Sequence, residues 1–571
     1  MAAEIIMPKA GMAMEEGTVV QWYKEIGDPI EQGEAVLEIL TDKVNMDVEA
    51  EASGVLLAKL AEEGTVLPVF TVIGYIGAEG EEVPAAQAAA PAAPAAKEAP
   101  KKTDEAAPAP ASDDAFDVIV LGGGPAGYVA AIKAAQLGGK VAIVEKIRVG
   151  GTCLNRGCIP TKTYVKNAEI LEHVAHAKNR GIMFADSAFD LDMDKIVGYK
   201  DDVVMTLTSG VAGLLTSYGV KQYNELGVIT KDKKVRLASG EELEGKKIIW
   251  AGGSQVAQIP IPGIDHERVL TSDTILDLKE VPESMIVIGG GVIGCEMAEI
   301  FNAYGTKVTI VELADELLPM MEVEISQALR AQFEKKGVTV MTGRKVEKFE
   351  GESDKVTVTI DGGQALVGER ALVSIGRVPD LSGLGELELE MNRGRVVVDD
   401  KMETSIEGIY APGDINGRHM LAHAAFKMGE VAAANAMGHD ETVDLSIVPS
   451  AVYLLPEIGA VGLTEAEAKK KYGEVLVGKF PFAGNGRALA SGELVGMIKV
   501  IVEPKYFELV GAHIYGPCAA EMINEAAALM AAEVPADIIA DTIHGHPTYS
   551  EAFMEACADA LKRCIHLPKK A

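Results

Sequence analysis

Hydrophobic and polar positions follow three rhythms along the 571 residues. Residues 1–78 alternate in short bursts, such as Val44, Met46 and Val48 with polar neighbours between them, which predicts brief β-strands. Residues 79–114 are nearly all Ala, Pro and charge, a composition that cannot bury a core. From Ala115 onward, unbroken apolar runs such as Val118–Leu121 and Met285–Ile288 are followed by glycine turns and helical stretches. That pattern predicts parallel strands alternating with helices, an α/β arrangement.

The first segment carries an internal repeat. Gly17 and Gly27 recur as Gly54 and Gly64, both displaced by 37 positions, and the residues around them echo one another. The expectation is a small all-β sandwich of two similar halves. Their join, "ILTDKVNMDVEA", reads as a hairpin with Asp42-Lys43 in its turn. The Ala/Pro-rich segment that follows would act as an extended tether, reaching on the order of 100 Å at about 3 Å per residue.

Two stretches of the α/β region are near-copies. "FDVIVLGGGPAGYVAAIKAAQLGGKVAIVEK" holds Gly122, Gly124 and Gly127 in a GxGxxG pattern and a second strand ending in Glu145. "MIVIGGGVIGCEMAEIFNAYGTKVTIVEL" holds Gly289, Gly291 and Gly294, with its second strand ending in Glu312. In both, the acid follows the second glycine by 21 residues. The first two glycines permit a tight turn and close approach of a pyrophosphate, and the third lets helix and strand pack. The helix N-terminus offers free N–H groups, and the acid accepts from ribose hydroxyls. One such motif is weak evidence; two in matched β-α-β settings predict two dinucleotide sites. No Arg or Lys follows Glu312 closely, which favours NAD over its 2′-phosphorylated form.

Composition narrows the field further. The formal net charge of −32 and a pI near 4.8 argue against nucleic acid and against docking on anionic membranes. Six cysteines are too few for a disulfide-stapled secreted scaffold. The opening residues show neither a secretory nor a transit pattern, and no apolar stretch is long enough to span a membrane, so a cytoplasmic location is expected. Within "GGTCLNRGC", Cys153 and Cys158 have no second Cys or His pair at zinc spacing, so no metal is expected. Five residues of ideal helix rise about 7.5 Å, against about 4.4–6.8 Å between disulfide Cα atoms. A bridge would need an irregular helix start, which Gly157 permits. So small a ring suits a reducible disulfide better than a stabilising one.

Further blocks give a resemblance. "GGTCLNRGCIPTK", "IIWAGGS", "VSIGRVPD", "IYAPGDINGRHMLAHAA" and "HGHPTYSEA" resemble, in order, the signatures of flavoprotein disulfide reductases of the pyridine-nucleotide class, in the form found in dihydrolipoamide dehydrogenases. The N-terminal repeat resembles the lipoyl domains of 2-oxo acid dehydrogenase complexes, in which an Asp-Lys lysine carries lipoyl on an amide. Biotin carrier domains put Met on both sides of that lysine; here its neighbours are Asp42 and Val44.

The resemblance implies a lipoyl domain (1–78), a linker (79–114), an FAD-binding domain (115–262 and 383–447) and an NAD-binding domain (263–382). A C-terminal α+β dimerisation domain (448–571) completes the two Rossmann-like domains. FAD would lie on Gly122, Gly124, Gly127, Glu145, Lys162, Ser254, Asp414, Leu421, Ala422 and His423; Glu296 would pair with Lys162. NAD would lie on Gly289, Gly291, Gly294, Glu312 and Gly376, and lipoyl would be attached at Lys43. Cys153 would exchange with the substrate dithiol and Cys158 would face the flavin. His546, oriented by Glu551, would be the base, reaching the cysteines from the other subunit of a homodimer. The implied partners are E1 and E2 subunits of a 2-oxo acid or acetoin dehydrogenase complex. One departure stands out: Ala251-Gly252-Gly253-Ser254 occupies the place of the family's Ala-Thr-Gly-Ser.

Overall fold

A computed structural model describes residues 3–7, 16–30, 33–40, 45–50, 52–61, 64–68, 71–77, 115–183 and 190–569. The chain divides into two compact units, Met1–Pro108 and Ala109–Ala571.

The first unit has two four-stranded antiparallel sheets. One runs Ala3–Ile6, Val72–Gly77, Gly54–Lys59, Pro29–Ile30; the other runs Asn45–Glu49, Ala35–Leu40, Glu16–Trp22, Val66–Pro68. The repeat fixes this arrangement. Strands related by the sequence offset hold equivalent places in the two sheets, so each half-repeat supplies strands to both. Ile5, Val19, Val36, Leu37, Ile39, Leu56, Ile73 and Ile76 close one shared core between them. Ala35–Leu40 and Asn45–Glu49 form the expected hairpin, with Leu40 opposite Asn45 as its last pair. The turn with Lys43 lies outside the described residues.

The second unit repeats one design twice. Five parallel strands run Lys221–Tyr223, Val141–Val144, Phe116–Leu121, Gly245–Trp250, Ile409–Tyr410. A second parallel sheet has the equivalent order: Thr339–Met341, Lys307–Val311, Ser284–Ile288, Arg370–Val373, Val269–Thr271. Covered on both faces, the inner strands carry continuous apolar runs; Val141–Val144 is wholly buried. In each sheet the fingerprint follows the middle strand, where the order reverses, the place at which open α/β sheets bind ligands. Each half also carries a three-stranded antiparallel meander, at 227–243 and 346–368, which the sequence pattern did not announce.

A five-stranded antiparallel sheet closes the chain, in the order Ser450–Val452, Glu457–Gly462, Leu509–Gly516, Met497–Val502, Leu476–Pro481. Helices Ala519–Ala531 and Glu551–Ala560 share its apolar core. The expected fold class therefore holds: two Rossmann-like units, an α+β C-terminal part and an all-β N-terminal unit. Among the described residues, no helix is long and apolar enough to cross a membrane, and no group of three or more His, Cys, Asp or Glu is arranged to hold a metal ion.

The C-terminal sheet is locked to the second Rossmann unit by a buried lysine. Lys499 is 1% exposed, and its Nζ meets Glu322 at 2.9 Å, Glu465 at 2.6 Å and Glu324 at 3.5 Å. Removing the lysine strands the Glu322 carboxylate, 3% exposed, so Lys499→Ala is expected to cost about 3–5 kcal/mol, read as a lower urea midpoint. The lock also fails in acid. Lys469 and Lys499 bring the Glu465 carboxyl down to about 2 from an ordinary 4.5. Its contribution is present above the unfolded value and is lost as pH falls from about 4.5 towards 2.

Candidate active site

The site begins with the glycines. Gly122 and Gly289 sit at φ +105° and +104°, a region that suits only glycine without strain. A Cβ on Gly127 or Gly294 would lie 1.9 Å from the Gly122 or Gly289 carbonyl oxygen. These four are required by the fold itself. Gly291 is different: a Cβ there would meet nothing within 4 Å, and one on Gly124 only the Gly151 Cα at 3.7 Å. Packing does not demand glycine at these two places, yet each opens a helix N-terminus, at Pro125 and Val292. They are cradles that a side chain would fill, which suits an approaching pyrophosphate. Gly376, at φ +106°, likewise has open space beside it.

The acids that end the second strands are oriented in advance. Gly123 N–H donates to Glu145 Oε2 at 2.8 Å, and Ile147 N–H to Oε1 at 3.0 Å. The copy repeats the contact: Gly290 N–H donates to Glu312 Oε2, and Ala314 N–H to Oε1 at 2.7 Å. Both carboxylates, expected at ribose hydroxyls, thus already bond the fingerprint backbone.

Next to the first fingerprint stand the cysteines. Gly150 N–H donates to the Gly123 carbonyl at 2.7 Å, which docks the segment. Cys153 lies on helix Gly151–Arg156, and Cys158 is the first residue of the nineteen-residue helix Cys158–His176. Gly157 separates them at φ −141° and ψ −110°, and a Cβ on it would press to 2.9 Å from the Thr152 carbonyl oxygen. The helix break foreseen from the spacing is present. Both cysteines are free thiols, so this is the reduced form of the pair. The Cys153 thiol is hydrogen-bonded to the Cys158 sulfur; that bond and burial raise Cys153. The same bond, helped against burial by the Lys162 charge, brings Cys158 down to about 7.

One turn along the same helix, Lys162 Nζ donates to Glu296 Oε1 and Oε2, both at 3.0 Å. Glu296 is 3% exposed, on the helix that opens at the second fingerprint, so the ion pair joins the two Rossmann units.

A second network supports the segment. Ser254 Oγ donates to Asp414 Oδ2 at 2.6 Å, and burial raises the Asp414 carboxyl above its ordinary value. Arg377 Nε donates to Ser254 Oγ at 3.0 Å, and its Nη2 to the Ser254 carbonyl at 2.8 Å and to Thr152 Oγ1 at 3.2 Å. Asp273 receives both Arg377, at 3.5 Å, and Arg156, at 3.2 Å. Neither Arg377 nor Asp273 was singled out from the sequence, although Arg377 lies inside the quoted "VSIGRVPD". The Gly252 departure has a physical reason: a Cβ there would meet the buried Trp250 Nε1 at 2.8 Å and the Asp380 carbonyl oxygen at 2.9 Å. The indole fills the space a threonine would need. Leu421 caps helix Ala422–Ala436, and His423 Nε2 pairs with the Pro449 carbonyl oxygen at 2.7 Å.

His546 is bonded to Glu551. Its Nδ1 pairs with Glu551 Oε1 at 2.8 Å, and Thr548 N–H donates to Glu551 Oε2 at 2.8 Å. Burial alone would raise Glu551, but those two partners hold it below its ordinary value. With Glu551 on one nitrogen, the imidazole presents Nε2 outward, and the side chain is 76% exposed. The arrangement is an imidazole held on one nitrogen by a carboxylate and accessible to solvent. His544 is engaged elsewhere, between the Thr542 carbonyl and Glu525.

Comparison with known proteins agrees. Residues 116–429 match the pyridine nucleotide-disulphide oxidoreductase family, 448–557 match its dimerisation domain, and 3–76 match the domain family described as biotin-requiring enzyme. A dihydrolipoyl dehydrogenase of Thermus scotoductus is 39% identical over 462 residues, 79% of this chain and 99% of that protein. One from Bacillus subtilis is 36% identical over 457 residues, again 79% and 99%. The crystal structure of LpdA from Mycobacterium tuberculosis superposes with a TM-score of 0.72 at 27% identity, covering 77% of this chain and 98% of that one. The HOCl-induced flavoprotein disulfide reductase RclA of Escherichia coli gives 0.69 at 29% identity, covering 77% and 99%. The chain belongs to the pyridine nucleotide-disulphide oxidoreductase family, among its dihydrolipoyl dehydrogenases, and carries a biotin/lipoyl domain at its N-terminal end.

Proposed function

We propose that the protein oxidises protein-bound dihydrolipoyl groups through Cys153 and Cys158, with FAD as internal carrier and NAD⁺ as final acceptor. The observation that carries this reading is the cysteine pair held across a helix break, beside the Lys162–Glu296 ion pair, on the first of two matched dinucleotide folds. Starting from the oxidised pair, a dihydrolipoyl thiolate attacks Cys153 Sγ. The Cys153–Cys158 bond breaks, a mixed disulfide forms, and Cys158 leaves as a thiolate stabilised by Lys162. His546 of the other subunit takes the proton from the second dihydrolipoyl thiol, which attacks its partner sulfur. Oxidised lipoyl departs, and Cys153 takes up a proton. A flavin held by Gly122, Gly124 and Asp414 would supply an acceptor for the two electrons, and Gly289, Gly291 and Gly376 would hold the NAD⁺ that serves as final acceptor. Anaerobic titration with dihydrolipoamide and then NAD⁺ tests the reading. A flavin spectrum that bleaches and recovers in step is expected; no response to dihydrolipoamide sinks it.

Lys43 is the proposed lipoyl attachment site, on a domain tethered by residues 79–114. Such a domain fits a component of a 2-oxo acid or acetoin dehydrogenase complex, working beside E1 and E2 subunits in the reducing cytoplasm. Lys43→Arg is expected to leave turnover of free dihydrolipoamide unchanged and to lower the rate of a reconstituted complex. A complex that runs at the native rate with Lys43→Arg excludes a shuttling role for the domain.

A further inference from the structure

The proposed chemistry asks one ammonium to do two things: bond a buried carboxylate and favour a thiolate. Glu296 alone would draw Lys162 towards itself and cancel its field. Lys162 has a second partner, however: its Nζ lies 4.5 Å from the ring centroid of Tyr453. Tyr453 belongs to the C-terminal part of the chain, immediately after strand Ser450–Val452. Its main-chain N–H donates to the same Glu296 Oε1, at 2.9 Å. Two residues on, the Leu455 carbonyl accepts from Lys336 Nζ at 2.7 Å, and Lys336 pairs with Glu299 at 2.8 Å and Glu172 at 3.3 Å. Glu296 and Glu299 lie one turn apart on helix Val292–Ala303, 3% and 2% exposed. The loop that presents the ring is therefore fixed at two points by one buried helix.

We infer that Tyr453 is a positioning residue of the redox pair, whose ring face holds the Lys162 ammonium within electrostatic reach of Cys158. The inference rests on Cys153 and Cys158 being that pair. An aromatic face attracts a cation through its quadrupole, more strongly where water is excluded, and it adds no negative charge. A second carboxylate in its place would hold Lys162 equally well and neutralise it. The groups facing Cys158 are Cys153 from its own short helix, Lys162 from the same helix and Glu296 from Val292–Ala303, with Tyr128 from Pro125–Gln136 and Tyr453 from the loop. Lys162 is the one cation in that set, so its placement sets how readily the thiolate forms.

The test reads thiolate formation rather than turnover. In full-length, flavin-loaded protein carrying Cys153→Ser, Cys158 is the remaining thiol of the pair. Its iodoacetamide alkylation is followed against pH by peptide mass spectrometry, with exposed Cys518 as internal reference. Tyr453→Leu and Tyr453→Met are expected to raise the pH midpoint by roughly half to one unit, about three- to tenfold slower alkylation at pH 6, below the midpoint. Tyr453→Phe, which keeps the ring face, is expected to stay within about twofold. The Cys518 rate is expected to stay constant throughout. A native midpoint in the folded Leu or Met variant overturns the inference, as does a Phe variant shifted as far as Leu. A purely structural role would lower the melting temperature and leave the midpoint in place. Failure here leaves the proposed activity standing, because that activity is judged by flavin bleaching in protein with Tyr453 intact.

Discussion

Replacing Cys158 with serine is expected to abolish dihydrolipoamide:NAD⁺ turnover, by roughly a thousandfold or more, since members of a catalytic unit fail together. A serine hydroxyl cannot form the bond that accepts the electrons, and it is not ionised near neutral pH. Cys153→Ser is expected to be as damaging, for a different reason. It leaves the thiolate at the head of the long helix but removes the sulfur proposed to meet the substrate. The two variants should therefore look alike in turnover and differ in thiol titration. The native thiolate at Cys158 forms near pH 7, held there by the Cys153 hydrogen bond and the Lys162 charge. It forms as pH rises through that value and is lost below it. A Cys158→Ser protein retaining even a tenth of native turnover would remove the cysteine pair from the reaction.

His546→Gln should cost roughly a hundred- to ten-thousand-fold in turnover, the range of a general base. Glu551→Gln should cost less, because it leaves the imidazole in place and loosens its orientation. The sharper result comes from mixing subunits. Within one chain the imidazole is largely exposed and bonds Glu551 rather than a cysteine. If the base serves the partner's cysteines, a dimer of one Cys158→Ser chain and one His546→Gln chain holds one wholly native site and one doubly damaged site. Such a heterodimer should show roughly half of native turnover, since a two-fold interface builds each site from both chains. Mixed dimers as inactive as their parents would show that each chain carries its own base.

What could be read in advance divides along physical lines. The fingerprints were legible because their requirements are local: a positive φ at Gly122 and Gly289, and no room beside Gly127 and Gly294. The N-terminal sandwich was legible because the chain states it twice. The Gly157 break was legible because five residues of helix rise too far for a disulfide. The Lys162–Glu296 pair spans 134 positions and came only from family resemblance. The Arg377–Thr152 bond spans 225 positions and the Lys499–Glu322 pair 177; these depend on how three sheets are brought together, which no periodicity records. Tyr453 gave no signal, being a loop aromatic outside every quoted motif. The glycine at 252 was legible as a departure from the family's threonine, but its reason, the space taken by Trp250, was not.

The break at Gly157 has a thermodynamic consequence. Had one helix run through both cysteines, Cys158 would have sat mid-helix, its charge facing no free N–H groups. Restarting the helix at Cys158 gives that sulfur the positive end of a nineteen-residue segment. A disulfide carries no charge and gains nothing there, whereas a thiolate does. The fold thus weights the equilibrium towards the dithiol and raises the reduction potential of the couple, by about 30 mV for each tenfold preference. One glycine turn makes the cysteine pair a better electron acceptor.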